Sequence, residues 1–346
     1  MPANLTPEYK AAADALRKAR DPQERLDCLR EMLRVIPRHK GTDHLQGDLK
    51  RRIHELDEEL SAPQRGGARS SPSLVVRPEG AAQIALLGPP NGGKSALHAC
   101  LTGSAAKSGS YPYTTQFPEP GMLHWEDVNF QLVDLPAISA QHPVPWIASA
   151  LQSADACWLV IDLSDPDCLG HVESVQTELA GRKVHLVTAW PSAAAQAGAA
   201  DALESAAADI FDLRLPTLLV ANKSDLLAHP QTDLDALAEL EEPHFPTALV
   251  SAVTGQGLGD LGAWLWSSLG LIRVYTKAPG KSAEQERPFT LRRGQQTVGD
   301  VARLVHRDME KALKYARVWG ASVDAEGQHV GREHVLADRD IVELHV

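Results

Sequence analysis

The apolar pattern predicts a three-part chain. A helical region comes first, an α/β domain with a mostly parallel sheet follows, and a small α+β domain ends the chain. Three observations carry this expectation. Residues 6–60 place apolar side chains at helical spacing. Between residues 79 and 271, six short apolar runs recur: "AAQIALLG", "FQLVDLP", "ACWLVIDLS", "KVHLVTAW", "PTLLVAN" and "PTALVSA". Helical stretches separate most of them, including the alanine-rich 192–209, which indicates parallel strands covered on both faces. In residues 272–346, "IRVYT", "PFTL", "YARVWG" and "DIVELHV" read as strands around one helix near 297–308.

The first region, 1–62, justifies its helices one by one. Thr6 is an N-cap with Glu8 close behind. Pro22 stands in the first turn of a helix striped by Leu26, Leu29, Leu33 and Ile36. "IPRHKGT" is a basic break, after which Leu45, Leu49, Ile53, Leu56 and Leu60 resume one stripe. This is expected to be a helical hairpin. Its break and Lys50, Arg51 and Arg52 form a basic end, either a solvated helix surface or a contact for an anionic partner. "SAPQRGGARSSPS" then opens a linker, placed at 63–78.

The composition is that of a soluble chain: 346 residues, 43% hydrophobic, 23% charged, net charge −11. The charge is uneven. Residues 1–62 hold 12 basic and 12 acidic side chains, 63–269 hold 9 and 22, and 270–346 hold 13 and 11. Any nucleic-acid contact is therefore expected at the ends rather than the middle. No apolar run suits a membrane span and no signal pattern opens the chain, so a cytoplasmic protein without membrane contact is expected. Cys28, Cys100, Cys157 and Cys168 form no C-x-x-C pair, which speaks against zinc or a redox dithiol.

The chemistry lies in the middle domain, 79–271. "IALLGPPNGGKSAL" places Gly88, Gly93, Lys94 and Ser95 as G-x-x-x-x-G-K-[ST] between a strand and a helix. Glycines let such a loop wrap phosphates with its N–H groups, so Asn91, Gly92, Gly93, Lys94 and Ser95 are the phosphate-binding candidates. Lys94 is expected to reach the β- and γ-phosphates and Ser95 to ligate Mg2+. "LLVANKSD" selects the base. The Asp225 carboxylate can accept from guanine N1–H and the 2-amino group, which adenine lacks. Asn222 and Lys223 complete the motif, and Lys223 can lie over the base. Ser251 and Ala252 of "LVSAVTG" can offer backbone N–H groups to guanine O6. The polar loop "SGSYPYTTQFPEPG" supplies Thr115, twenty residues past Ser95, as a second hydroxyl for Mg2+, with Thr114 as the alternative. Asp134 would hold a magnesium-bound water. Lys94, Thr115 and Asp134 are thus the catalytic candidates, and GTP and GDP the expected ligands.

These motifs carry a resemblance. "GPPNGGKS", "YPYTT", "DLPA", "NKSD" and "SA" resemble the Obg-related GTPases. "IRVYTKAPGK", "ALKYARVWGASV" and "VGREHVLADRDIVEL" resemble the TGS domain of the developmentally regulated GTP-binding proteins, and "IPRHKGTDHLQGDLKRRI" resembles their helical leader. The resemblance implies a P-loop GTPase domain followed, over 272–346, by a ubiquitin-like β-grasp. It also implies a slow GTPase acting as a ribosome- or RNA-associated regulatory switch. In the last domain, Arg292, Arg293, Arg303, Arg307, Lys311, Lys314 and Arg317 stand near Tyr315 and Trp319. Cations and rings suit RNA, although strand alternation could instead place either ring in the core.

Two departures stand out. Only 88 positions separate Asp134 from Asn222, too few for the inserted domain of longer relatives. And "DLPAIS" has Ala137 where relatives have glycine, so the γ-phosphate contact keeps its N–H but loses backbone freedom. That leaves a second reading open, in which the chain is a non-switching, guanine-nucleotide-bound adaptor. Ile138 cannot orient a water. The resemblance implies K+ as the compensating charge, with Asn91 as its candidate ligand or as a loop-shaping residue only.

Overall fold

A computed structural model of the chain describes residues 6–19, 22–37, 42–61, 74–104, 115–192, 212–278, 288–292, 294 and 296–346. The alanine-rich helix expected at 192–209, Thr114 with the preceding part of its loop, and most of the linker lie outside the described residues. The chain divides into two compact units, Met1–Pro78 and Glu79–Val346.

Among the described residues, the first unit holds three helices: α1 (Pro7–Lys18), α2 (Pro22–Val35) and α3 (Asp43–Ser61). Thr6 caps α1 by accepting the Tyr9 N–H at 3.2 Å. The expected hairpin is the α2–α3 pair, and α1 packs on α2 as a third member. Tyr9, Leu26, Leu29, Met32 and Leu49 are buried within it. A helix of this length is marginal alone, so the shared apolar stripe is what holds the three together.

The second unit begins with the larger sheet. Its elements are β1 (Gln83–Leu87), α4 (Lys94–Thr102), β2 (Glu119–Trp125), β3 (Val128–Asp134), α5 (Ile147–Leu151), β4 (Ala156–Asp162), α6 (Cys168–Ala180), β5 (Val184–Val187), β6 (Leu213–Asn222), α7 (Pro230–Leu240), β7 (Thr247–Leu249) and α8 (Leu261–Leu269). The strands run β2-β3-β1-β4-β6-β5, with β7 also on β6. Every pairing is parallel except β2 with β3. β1, β3 and β4 are buried almost throughout, which is why they read as continuous apolar runs. β6 is long enough to carry β5 along Leu213–Pro216 and β7 along Leu219–Ala221. β2 escapes the sequence reading because its "EPGMLHW" opens with Pro and Gly and is half-exposed.

A second sheet follows, from β8 (Leu271–Thr276), β9 (Phe289–Arg292), β10 (Tyr315–Trp319), β11 (Gln328–Val330) and β12 (Asp340–His345), in the order β11-β10-β12-β8-β9. The single helix expected near 297–308 is two, α9 (Val298–Val305) and α10 (Arg307–Ala312). A capping box between Thr297 and Asp300 starts the first. One sheet face buries Val274, Ala316, Val318 and Val342 with Val298 and Val301 of α9. Neither Tyr315 nor Trp319 joins this core. Tyr315 stacks between His329 and His345, and the Lys277 ammonium lies 3.8 Å above the Trp319 ring. Strand alternation puts Ala316 and Val318 inward, so their neighbours must face out.

The two sheets of this unit touch at the turn between β2 and β3. Arg273 of β8 donates to Glu126 and to Asp127, each at 2.6 Å, and Tyr275 donates to Asp127 at 2.5 Å. The Arg273 guanidinium also lies over Trp125 and Trp266. Arg339 also pairs with Glu126, and a separate ion pair joins Arg292 to Asp155.

Candidate functional site

β1 ends at Leu87 and the chain turns through a glycine loop into α4. Gly88 and Gly93 have φ of +148° and +88°. A Cβ on Gly88 would sit 2.2 Å from the Val160 carbonyl oxygen, and one on Gly93 would sit 2.2 Å from Asn222 Nδ2. The loop therefore needs glycine both for its dihedrals and for its closeness to β4 and β6. Asn91 stands at the crown with φ +62°, a conformation asparagine tolerates.

Lys94 begins α4 and folds back under the loop. Its Nζ donates to the Gly88 and Pro89 carbonyls at 3.2 and 2.9 Å. Burial pushes the ammonium down to about 8, while Asp134 pulls it back toward its ordinary value.

The three oxygen side chains expected around Mg2+ meet in space. Ser95 Oγ donates to Asp134 Oδ2 at 2.5 Å, Thr115 Oγ1 donates to the same oxygen at 3.2 Å, and the two hydroxyls lie 3.0 Å apart. Asp134 is only 1% exposed, and its Oδ1 has no hydrogen-bond partner among the described residues. A buried, half-satisfied carboxylate beside two hydroxyls is an all-oxygen donor set that fits a small hard divalent cation.

The residues expected to select the base are tied to the loop through Asn222. Its Nδ2 donates to the Gly92 carbonyl at 3.1 Å, and its Oδ1 accepts the Ala252 N–H at 3.1 Å. One buried amide thus bridges three motifs, with Gly92 130 residues before Asn222 and Ala252 30 residues after it. Ser251 Oγ donates to Asp225 Oδ1 at 2.5 Å and accepts the N–H groups of Val253 and Thr254. The two N–H groups expected to meet guanine O6 are already engaged in this arrangement, Ser251 with the Gln256 carbonyl and Ala252 with Asn222.

The turn after Asp134 holds Ala137 and Ile138. Ala137 is buried and does not take a positive φ, so alanine is unstrained in this arrangement. The neighbouring Ile138 N–H donates to the Gly88 carbonyl at 3.0 Å. The Ile138 side chain is buried in a small cavity with Pro143, Val144, Ile147 and Leu179. It works as a packing residue there.

One participant was missed by the sequence reading. Asp162, the last residue of β4, accepts from Lys223 Nζ at 2.6 Å. Its signal was an acid closing the buried run "ACWLVIDLS".

Comparison with known proteins agrees with this reading. A family model described as 50S ribosome-binding GTPase matches residues 83–189, and a TGS domain model matches 272–346. The developmentally-regulated G-protein 2 of Arabidopsis thaliana is 28% identical over 93% of this chain and 90% of its own length. A GTP-binding protein of Methanocaldococcus jannaschii is 29% identical, covering 93% and 92% respectively. The developmentally-regulated GTP-binding protein 1 of Xenopus laevis is 27% identical, covering 91% and 96%. With the glycine loop, the oxygen cluster behind it and the Asn222 bridge all in one site, the chain carries a P-loop GTPase domain followed by a TGS domain and is similar along most of its length to proteins named developmentally regulated GTP-binding proteins.

Proposed function

We propose that the protein binds GTP and hydrolyses it slowly to GDP and phosphate, as a regulatory switch associated with ribosomes or RNA. The convergence of Ser95, Thr115 and Asp134 behind the glycine loop is the observation that carries this reading. The loop N–H groups and the start of α4 receive the phosphates. Lys94 exchanges its carbonyl partners for phosphate oxygens, whose negative charge offsets the cost of burying the ammonium. Asp225 reads guanine N1–H and the 2-amino group, and Asn222 keeps the base motif in register with the loop. The Ala137 N–H takes the γ-phosphate contact. Thr115 follows the polar loop, so its approach to Ser95 couples that loop to the phosphate end.

Ser95 and Thr115 would hold Mg2+, with Asp134 behind them through water. An ion held by these residues would supply positive charge to the phosphates. The exposed Asn91, at the crown of the glycine loop, is the proposed K+ ligand. The ribosome or RNA association is supported by the TGS match and the family description. The cations of the last domain add little to it, because Arg292 pairs with Asp155 and Arg303 with Asp300 and Glu310. We place the protein in the cytoplasm; among the described residues no helix is long and apolar enough to cross a membrane.

The test is GTP turnover with magnesium, in potassium against sodium chloride at equal ionic strength, with and without purified large ribosomal subunits. Turnover raised by potassium and again by the subunits is the expected result. Tight guanine binding with no turnover in any condition would favour the adaptor reading that Ala137 suggests. So would identical protease cleavage of residues 108–140 with GDP and with a non-hydrolysable GTP analogue.

A further inference from the structure

Lys223 follows Asn222 in the left-handed region, φ +64°, where the chain leaves β6. Its stem passes the phosphate loop, with Cε 4.0 Å from where a Gly93 Cβ would sit. Its ammonium then meets Asp162 Oδ2 at 2.6 Å. Asp162 lies beside Asn222 in the parallel register of β4 and β6. Its second oxygen accepts the Ser164 N–H at 3.0 Å and the Ser164 hydroxyl at 2.5 Å. The carboxylate is therefore fixed from both sides before any nucleotide arrives. Desolvation would raise its pKa, but the Lys223 and Ser164 hydrogen bonds prevail and hold it below the ordinary range, so it stays charged.

We infer that Asp162 is a positioning residue of the base pocket: it pins the Lys223 ammonium and so holds the lysine stem as a preformed wall for the guanine ring. The inference rests on the guanine-nucleotide reading above. A free lysine has many rotamers, and ordering one during binding weakens affinity, whereas a pinned stem is ordered in advance. A part-exposed ion pair contributes little to folding, so the consequence is expected in binding.

The test is equilibrium titration of fluorescent GDP, with magnesium, into wild-type protein, Asp162→Asn, Lys223→Met and the double variant. Asp162→Asn is expected to weaken GDP about tenfold. The double variant is expected to bind no more weakly than Lys223→Met alone, because the aspartate acts through the lysine. Inosine diphosphate should lose the same factor as GDP, since the stem faces the ring rather than the 2-amino group. Asp162→Glu, which restores the charge, should recover most of the affinity. Equal losses from Asp162→Asn in both lysine backgrounds would overturn the inference, as would an unchanged affinity or a Glu variant as weak as Asn. Wild-type protein that binds no GDP would remove the guanine reading and this inference together. Wild-type binding with additive losses would remove the role of Asp162 alone.

Discussion

The β2–β3 hairpin carries carboxylates at both ends, and the two ends treat them in opposite ways. At the phosphate end, Asp134 is buried with one oxygen lacking any partner among the described residues. At the other end, Glu126 and Asp127 meet Arg273, Tyr275 and Arg339. Both ends bring charge together at a partly or wholly buried place, so burial does not separate a ligand site from a structural joint. Satisfaction does: an unpaired buried carboxylate costs stability and points to a cation that is not part of the chain, while a paired one is a fastening. The hairpin thus runs from the candidate nucleotide site to a clamp on the TGS sheet.

The largest effect should come from the phosphate end. Lys94→Ala is expected to weaken GTP binding by about a hundredfold or more, read by equilibrium titration, because the phosphates lose their buried cation. Asp225→Ala should cost guanine binding comparably. Retained tight binding in both variants would break the assignment of that end.

Next is the joint. Arg273 is 4% exposed, and Arg273→Met should cost about 3 kcal/mol in urea unfolding, because Glu126, Asp127 and Asp338 lose their shared buried cation and, among the described residues, keep only Arg339 and Tyr275 as partners across the joint. Affinity for GTP should change little. The opposite sign is expected for Asp134→Asn. Removing a half-satisfied buried charge should stabilise the nucleotide-free protein by about 1 kcal/mol while removing the magnesium dependence of GTP binding. If both variants destabilise, the contrast between the two ends fails.

Tyr275 sharpens the joint further. Burial and the hydrogen bond to Asp127 push its phenol up to about 12. The folded state therefore keeps a proton that the unfolded chain releases near 10, and the stability from this pair is complete below pH 10 and lost as pH rises through 12. Tyr275→Phe should flatten that alkaline slope, measured by urea unfolding between pH 8 and 11. The smallest change is expected from Ala137→Gly. Since Ala137 does not take a positive φ here, glycine should cost about 0.5–1 kcal/mol through the unfolded chain without improving the fold. A marked rise in GTP turnover in this variant would show that the alanine restrains the switch.

Much of the site was legible because its motifs are local. The glycine loop, Asn222 to Asp225, and Ser251 with Ala252 each sit on one turn at the end of a strand, where composition reports backbone conformation directly. The strand content of both sheets followed from apolar runs. β2 and the three-residue β11 did not, since a half-exposed strand opening on Pro and Gly and a very short one leave no periodic signal.

The sequence by itself determined the class of fold, the order of the parts, and the residue types that could surround a guanine nucleotide. Only the tertiary structure decided which of them share an atom's neighbourhood. Asp162 and Lys223 are 61 residues apart, and Asp127 and Arg273 are 146 apart. Tertiary structure also turned Ile138 into a cavity and left Tyr315 and Trp319 outside the core. The physical reason is range: a turn or strand is written in consecutive residues, whereas a long-range charge pair depends on strand order and register, which no single stretch contains.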